Sequence, residues 1–473
     1  MNATLDKLTE GMRSMQVERN PDYPLNDIGT AKLFYALSKE MLCFVPEAKS
    51  WYIFDGQRWG KDNGGLSIME LCKLFSQAMY SYALSLPEEN DFFIKYATAL
   101  QGRKRRESIL RDACSIAPRS LSDFDNDKLL FNCQNGTLNL AIMTMQPHNP
   151  ADYLTKLSGV FYDKDAKCSR WEQFISEVMQ GDEDTAHFLQ KSFGYCLSGE
   201  TSLECFFILY GSTTRNGKTT ACETISTIMG EYARTAQPET LARRSSGGSS
   251  PTPDIARLKG ARFLSMPEPE RGLELNAALI KQLTGGDTYT GRFLHENPVE
   301  FTPEFKIFIN TNHLPRTGDD TVFSSDRVKL IPFERHFSPQ EQDTGLKAHF
   351  RKQENLSGIF NWLIEGYRLL KAEGLTVPER VLQATKEYRQ ETDIVGTFLN
   401  DTLMEAEGCR VPTGALYRKY VDWIKENGYR PLNSKNFVGE LRRRYDIRRD
   451  GMLGNEIVGV DYIPAGAPWR EGY

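Results

Sequence analysis

The chain has 473 residues, a formal net charge of −5, and hydrophobic and charged contents of 40% and 26%. This length exceeds one hydrophobic core, so we expect about two to four domains in a soluble globular protein. No apolar run reaches the length of a membrane span, the N-terminus lacks a signal-peptide core, and the cysteines and histidines show no zinc-ligand or disulfide spacing. We therefore expect a cytosolic protein with reduced thiols and no membrane contact. The net charge argues against a DNA-coated protein but permits local basic surfaces that contact DNA.

The first 150 residues favour helices and small hairpins. Apolar spacing predicts a helix over residues 28–42, and alternation over residues 51–59 predicts a hairpin that turns at an Asp-Gly pair. The aromatic residues of this hairpin either pack in a core or stack on bases, and packing is the commoner use. Residues 66–122 favour helices, and the basic run at residues 103–106 is either a solvated helix face or a contact surface.

Two further strands are predicted within residues 129–140, around an Asn-Gly turn, and helical patterns return at residues 169–179 and 185–197. The next segment, residues 205–230, has the order strand, loop, helix, and Gly230 stands where the helix would end. Glycine lets such a loop curl so that its N–H groups face phosphate oxygens, and the first helical turn adds a positive dipole end. We predict a phosphate-binding loop made of Ser212, Thr213, Thr214, Arg215, Asn216, Gly217, Lys218, Thr219 and Thr220.

Within this loop Lys218 can neutralise phosphate charge, and the Thr219 hydroxyl can ligate Mg²⁺. Five residues, rather than the usual four, separate Gly211 from Gly217, so Ser212 stands in the place of the first glycine. A polar strand-to-helix turn without a ligand has the same outline. The flanking strand and helix favour the phosphate-binding interpretation.

The chain after the loop favours an open sheet flanked by helices. Residues 243–253 indicate a flexible surface loop. Strands are predicted at residues 261–266, 305–310 and 328–332, a helix at 273–283 and a hairpin at 288–300. Ligands in such α/β sheets lie at the carboxyl ends of the strands, where Glu268, Glu270 and Asn312 are placed to converge on Lys218.

The last part of the chain favours helices over residues 356–395 and then a small basic module. Helices at residues 416–424 and 436–445 and a hairpin at 447–462 give the outline of a winged helix. We therefore divide the chain into an N-terminal region (1–150), a sheet-containing core (151–345), a helical connector (346–400) and a winged-helix-like module (401–473).

Several ordered motifs resemble those of superfamily 3 helicases, and most closely the phage- and plasmid-encoded primase-helicases related to the poxvirus enzyme. The resemblance covers residues 25–340 and, more weakly, the last module. The motifs are YGSTTRNGKTT, RFLSMPEPE, LTGGDTYTGRFLHENPVEFTP, IFINTNHLP and DRVKLIPF. This likeness implies an AAA+ P-loop NTPase core, ATP and Mg²⁺ as cofactors, and a hexameric ring that moves 3′→5′ along one DNA strand. It also places ATP between neighbouring subunits.

The resemblance assigns roles to residues at the core's strand ends. Thr219 and Glu268 are assigned to Mg²⁺. Glu268 and Glu270 match the acidic pair, of which one orients Mg²⁺ through water and the other polarises the attacking water. We favour Glu268 as the base, although Pro269 between them leaves the division open. A helix-start acid is the alternative for either carboxylate.

Asn312 matches a sensor of the γ-phosphate, or else is a plain Asn turn. Arg327 aligns with the arginine finger that reaches a neighbour's ATP, or else forms a surface salt bridge. In the hairpin that would face the pore, Arg292 and His295 are predicted to bind DNA phosphates, although its tip lacks the lysine common in viral relatives, and His295 is otherwise a turn residue.

In the last module, Arg442, Arg443 and Arg444 are predicted to dock on duplex DNA, with a solvated helix face as the alternative. An N-terminal polymerase domain is not evident, so we expect a separate primase subunit and, for a phage or plasmid protein, a bacterial cytosol. Two other functions remain open: an ATP-switched origin-binding scaffold, and a small-molecule kinase, for which the hairpin and the last module would have no use.

Overall fold

The computed structural model describes residues 2–87, 90–116, 118–243, 253–292, 298–317, 321–428, 431–450 and 454–464. None of the helices in these ranges is long and apolar enough to cross a membrane. The first part of the chain combines helices with two small antiparallel sheets. Its elements are α1 (Asn2–Ser14), α2 (Asp27–Ser38), β1 (Leu42–Val45), β2 (Ser50–Phe54), β3 (Trp59–Lys61), α3 (Leu66–Leu84), α4 (Asp91–Leu100), α5 (Arg103–Ala113), β4 (Leu130–Cys133), β5 (Gly136–Asn139) and β6 (Thr144–Gln146).

Both hairpins predicted in this region are confirmed, and each gains a third strand. β2 pairs with β3 and β4 pairs with β5, while β1 and β6 extend the two sheets. The helix predicted over residues 28–42 was too long, because Leu42 already pairs with Ile53 in the sheet. Trp59 is buried, stacks on Tyr153 and donates its indole N–H to the Pro150 carbonyl at 2.8 Å. The aromatic side chain is therefore used for packing rather than for stacking on bases.

The middle of the chain forms the parallel sheet and its flanking elements. They are α6 (Ser169–Val178), α7 (Glu183–Gly194), β7 (Phe206–Tyr210), α8 (Lys218–Met229), β8 (Ala233–Thr235), α9 (Pro253–Ala256), β9 (Phe263–Met266), β10 (Glu274–Leu275), α10 (Ala277–Thr284), β11 (Tyr289–Arg292), β12 (Pro298–Phe301), β13 (Lys306–Thr311), β14 (Arg316–Thr317), α11 (Thr321–Ser324) and β15 (Val328–Pro332).

Five parallel strands lie in the order β15-β7-β13-β9-β8. Successive residues of β7 point to opposite faces: Phe206 and Ile208 join one hydrophobic cluster, and Phe207 and Leu209 join the other. Because both faces carry helices, the sheet is buried on both sides, as an unbroken apolar strand pattern predicts. β13 lies between β7 and β9, so the carboxyl ends of these three strands are adjacent.

The predicted helix at residues 273–283 was wrong over its first turn. Glu274 and Leu275 instead pair in parallel with β14, and α10 begins after Asn276. The Asn276 side chain accepts the Leu279 N–H at 3.1 Å, which is the usual cap at a helix start. The loop predicted at residues 243–253 lies largely outside the described residues.

The remaining elements cover the sheet and then form the last module. They are α12 (Leu346–Phe350), α13 (Gln353–Glu373), α14 (Glu379–Thr392), α15 (Ile394–Thr402), β16 (Leu403–Pro412), α16 (Thr413–Glu426), α17 (Ser434–Arg442), β17 (Ile447–Asp450) and β18 (Gly454–Tyr462). Three helices and a sheet of order β16-β18-β17 give the winged-helix outline. Phe398 and Leu399 of α15 pack in the core of this module, so the boundary predicted at residue 401 falls inside α15.

Two buried cations connect the sheet to the preceding chain at the amino ends of β9 and β13. Arg262 is 2% exposed and donates to the carbonyls of Leu130 at 2.9 Å and Leu197 at 2.6 Å. Lys306 is 1% exposed and donates to the Ser198 carbonyl at 2.5 Å and the Glu200 carbonyl at 3.0 Å. Main-chain oxygens thus accept from both buried cations, as burial favours, while Nε of Arg262 has no hydrogen-bond partner among the described residues.

Candidate nucleotide site

The predicted phosphate-binding loop lies between the carboxyl end of β7 and the start of α8. Gly217 has a φ of +88° and is the residue that precedes α8. A Cβ atom there would lie 2.5 Å from Cγ1 of Val178, so both the backbone conformation and the space require glycine. Thr219 is exposed in the first turn of α8, while Lys218 is only 5% exposed.

The first glycine, Gly211, has a packing role of its own. A Cβ atom on Gly211 would lie 2.2 Å from the Phe333 carbonyl oxygen and 2.3 Å from Nδ2 of Asn216. Gly211 is therefore needed for close packing of the loop, and Ser212, Thr213, Thr214 and Arg215 follow as exposed residues. Asn216 is 4% exposed and donates to the Thr213 carbonyl at 2.7 Å, which fixes the curl of the loop.

A segment after β15 supports the loop from outside, and sequence reasoning missed it. The Phe333 N–H donates to the Tyr210 carbonyl at 2.5 Å, and the Phe337 N–H donates to the Arg215 carbonyl at 3.0 Å. Nδ1 of His336 lies 2.8 Å from the Thr214 carbonyl oxygen. These contacts hold a loop residue, Arg215, at a positive φ of 58°.

Three predicted site residues form one hydrogen-bonded chain at the sheet's carboxyl edge. Nζ of Lys218 donates to Oδ1 of Asn312 at 2.6 Å and to the Gly211 carbonyl at 3.2 Å. Asn312 in turn donates its main-chain N–H and its Nδ2 to the two carboxylate oxygens of Glu268, at 3.0 and 2.9 Å. The order of strands explains this, since Asn312 follows β13, which lies between β7 and β9.

The electrostatics of the site follow from burial. Loss of hydration lowers the pKa of Lys218 to about 8, and the nearby Glu268 carboxylate opposes that shift. A buried ammonium beside a curled loop and a helix start fits a polyphosphate, whose negative charge would stabilise the ammonium that burial has stripped of water. The exposed Thr219 hydroxyl and Glu268 carboxylate supply hard oxygen donors of the type that Mg²⁺ prefers.

The second predicted acid, Glu270, lies outside this hydrogen-bonded chain. It is exposed, and its carbonyl accepts the Leu273 N–H at 3.1 Å. Its neighbour Arg271 donates its Nε–H to Nε2 of His313 at 2.9 Å, a contact that the sequence did not indicate. The geometry therefore gives Glu268 the contact with Asn312.

Arg327 lies at the opposite edge of the sheet. Its carbonyl accepts the Phe206 N–H at 2.8 Å, at the amino end of β7, whereas the loop follows the carboxyl end of that strand. Its guanidinium contacts Glu204 and Thr284 of its own chain. The salt bridge foreseen as the alternative for Arg327 is thus present, and its own Lys218 lies beyond its reach.

The residues predicted to contact DNA differ in their exposure and in their contacts within the chain. Arg292 ends β11, where its backbone pairs with Pro298 of β12; His295 lies outside the described residues. Arg442 is exposed, and Arg443 pairs with Glu440 at 2.7 Å.

Arg444 instead makes contacts within the module. Its guanidinium donates to both carboxylate oxygens of Asp393 at 2.8 and 2.9 Å, and to Glu440 at 2.8 Å. It therefore connects α17 to the start of α15. In the basic run at residues 103–106, Arg103 pairs with Glu107 and Arg105 with Asp27, which favours the solvated helix face.

The strand order, the curled loop and the buried lysine define an AAA+ P-loop NTPase fold. Two protein-family models match parts of the chain. "D5 N terminal like" matches residues 31–180, and "Poxvirus D5 protein-like" matches residues 390–445. In these two segments the chain is similar to poxvirus D5-like proteins.

Related sequences come from viruses. The chain is 27% identical over 415 residues to "Putative helicase L207/L206" of Acanthamoeba polyphaga mimivirus, covering 80% of this chain and 43% of that protein. It is 23% identical over 361 residues to "Putative helicase 121R" of Invertebrate iridescent virus 3, covering 68% and 38%. The chain thus spans less than half the length of these relatives.

A solved structure shares the fold. The apo structure of the NrS-1 C terminal region matches with a TM-score of 0.52 at 12% identity, covering 92% of this chain and 100% of that chain.

Proposed function

We propose that this chain is an ATP-dependent DNA helicase of phage or other mobile-element replication, which assembles into a hexameric ring and moves 3′→5′ along single-stranded DNA. The observation that carries the proposal is the hydrogen-bonded chain from Lys218 through Asn312 to Glu268. It joins a phosphate-binding cation, a polar sensor and a carboxylate at the edge of the sheet where α/β proteins bind ligands. The helicase names of the viral relatives support the same activity.

In the proposed mechanism, the N–H groups of residues 212–217 and the Lys218 ammonium bind the β- and γ-phosphates of ATP. Thr219 would hold Mg²⁺, which when bound neutralises phosphate charge, and Glu268 would help to hold it if Glu270 is the base. Asn312 fixes the orientation of the Glu268 carboxylate through two hydrogen bonds, so that this carboxylate can accept a proton from the attacking water. Glu270 remains the alternative base.

The proposed site is completed by a second copy of the chain. Arg327 sits at the amino edge of the sheet and the loop at the carboxyl edge, which supports a role of Arg327 at a neighbour's nucleotide rather than at its own. From a neighbouring subunit, an arginine can stabilise the charge that develops on the transferred phosphoryl group. Head-to-tail contacts of this kind form a ring when the rotation between neighbours closes.

Two surfaces are proposed to contact DNA. The β11–β12 hairpin, with Arg292 and His295, would contact phosphates of the single strand, and the winged-helix module would contact duplex through Arg442 and Arg443. Contacts to phosphates give binding without sequence preference and with strong salt dependence. The winged-helix module also favours the second candidate, an ATP-switched initiator that binds an origin without unwinding it. A separate primase is the expected partner of either.

A fork-unwinding assay tests the proposal. Purified protein should open a forked duplex with a 3′ single-stranded tail when ATP and Mg²⁺ are present, and Lys218→Ala should abolish ATP turnover and opening. Lys164→Ala, at a lysine whose side chain is 77% exposed, is the matched control and should behave as the wild type. If the wild type hydrolyses ATP and binds single strands but opens no duplex, the helicase proposal fails and the initiator function replaces it.

A further inference from the structure

The guanidinium of Arg327 is held by two segments of its own chain. Nη1 donates to the Glu204 carbonyl at 3.2 Å and to Oγ1 of Thr284 at 2.9 Å, and Nη2 pairs with Oε2 of Glu204 at 2.5 Å. The Arg327 side chain is 14% exposed and that of Glu204 is 50% exposed. We call the Glu204–Arg327 contact the latch.

The latch is strained and incomplete. Glu204 has a φ of +46°, a left-handed conformation that residues with a side chain seldom adopt, and its N–H is held by the Thr201 carbonyl at 3.0 Å. Nε of Arg327 is buried and has no hydrogen-bond partner among the residues that the structure describes. Unmade hydrogen bonds of buried charged groups are costly, so the guanidinium retains capacity for a better acceptor.

The third partner, Thr284, ends α10 and connects the latch to the proposed DNA hairpin. Its hydroxyl donates to the Ile280 carbonyl at 2.8 Å and accepts from Arg327, so it is fixed in both directions. Gly285 and Gly286 follow and lead into β11. A change at Arg327 therefore acts on the last residue of α10, and the segment that follows it leads into β11 at Tyr289.

We propose that Glu204 is a positioning residue that holds Arg327 inside its own chain until the phosphates of a neighbour's ATP replace the Glu204 carboxylate. This inference rests on the proposed function. Phosphate carries more negative charge than one carboxylate and accepts two parallel hydrogen bonds from a guanidinium, so the exchange favours the nucleotide. When the guanidinium moves, Thr284 loses its donor, and the base of the hairpin is released together with the arginine.

Replacement of the Glu204 carboxylate by a neighbour's phosphates couples opening of the latch to ring assembly. Every closed interface must first break the Glu204–Arg327 pair, so removal of the carboxylate should favour assembly. The two variants that remove it are Glu204→Gln, which keeps the size of the side chain, and Glu204→Gly, which also relieves the left-handed strain. Because Gly suits this φ, the second variant guards against loss of folding. Glu365→Gln is the matched control, since Glu365 forms an exposed pair with Arg368 at 3.2 Å on α13.

The test measures ATP turnover per protomer against protein concentration, and ring formation by mass photometry with a non-hydrolysable ATP analogue. Both Glu204 variants should lower the concentration of half-maximal assembly and turnover by about tenfold, which corresponds to ~1.4 kcal/mol. The Glu365→Gln control should keep the wild-type midpoint. Wild-type midpoints in both Glu204 variants, with assembly and turnover intact, overturn the latch and leave the proposed function standing. Absence of turnover and of rings in the wild type at every concentration overturns the proposed function, and the latch with it.

Discussion

Mixing two inactive variants can separate action within one chain from action between chains. Arg327→Ala removes the proposed finger and Lys218→Ala removes the phosphate-binding cation. The strand β7 lies between them, and its five residues place Arg327 about 13 Å or more from the loop of the same chain. A side chain must approach to about 3 Å to form a hydrogen bond, so one chain cannot bring Arg327 to its own nucleotide.

Each variant alone should lose about 10³-fold or more in ATP turnover, the effect expected for an arginine finger. Arg327→Ala should retain nucleotide binding, whereas Lys218→Ala should not. In an equimolar mixture, about one interface in four combines an intact loop with an intact arginine, because each site is built from two different surfaces. The mixture should therefore recover about a quarter of the wild-type turnover per protomer, against almost none for either variant alone.

The assay is steady-state phosphate release from preincubated mixtures, with mass photometry to show that the variants share rings. Mixed rings without recovered turnover would refute action in trans. Wild-type turnover of Arg327→Ala alone would refute the assignment of the finger.

Three further outcomes are expected. Gly217→Ala should lower the free energy of unfolding by roughly 2 kcal/mol, because a Cβ atom collides at a positive φ. The control Gly414→Ala in α16 should be neutral or stabilising, because a Cβ atom there meets nothing within 4 Å. Chemical denaturation measures both variants, and equal effects would contradict the argument. Nucleotide affinity should weaken by up to about tenfold per pH unit above pH 8, because the Lys218 ammonium loses its proton near its lowered pKa of about 8; a calorimetric affinity that stays constant to pH 9.5 would contradict this. Arg444→Ala should destabilise the last module by about 1–2 kcal/mol with little change in affinity for duplex DNA. Arg442→Ala should leave the stability unchanged but weaken binding to duplex DNA and reduce the salt slope by about one. Thermal melting and binding titrations at several salt concentrations distinguish the two.

Local patterns predicted those elements whose identity depends on their own residues. The strand over residues 328–332 was predicted with the bounds that the structure has, because Val328, Leu330 and Ile331 are apolar and Pro332 ends the segment. The hairpins were predicted because Asp-Gly and Asn-Gly turns specify them. The convergence of Glu268 and Asn312 on Lys218 followed from the rule that parallel strands present their carboxyl ends at one edge.

Other features depend on residues distant in sequence, and no local pattern indicates them. The short strand β10 depends on partners elsewhere in the chain, β14 and Ala242. The support of the phosphate-binding loop by His336 and Phe337 joins segments more than a hundred residues apart. Arg444 lies in a run of three arginines that is typical of a DNA contact. Its hydrogen bonds to Asp393 depend on the packing of α15 against α17, which the sequence does not indicate.

The carbonyls bound by Arg262 belong to two segments far apart in sequence, Leu130 at the start of β4 and Leu197 shortly after α7. Bending the junction would strip a buried cation of its oxygens, at a cost far above thermal energy. The junction between the parallel sheet and the β4–β6 sheet is therefore stiff. If the proposed ATP hydrolysis moves the parallel sheet, the β4–β6 sheet should move with it as one rigid body.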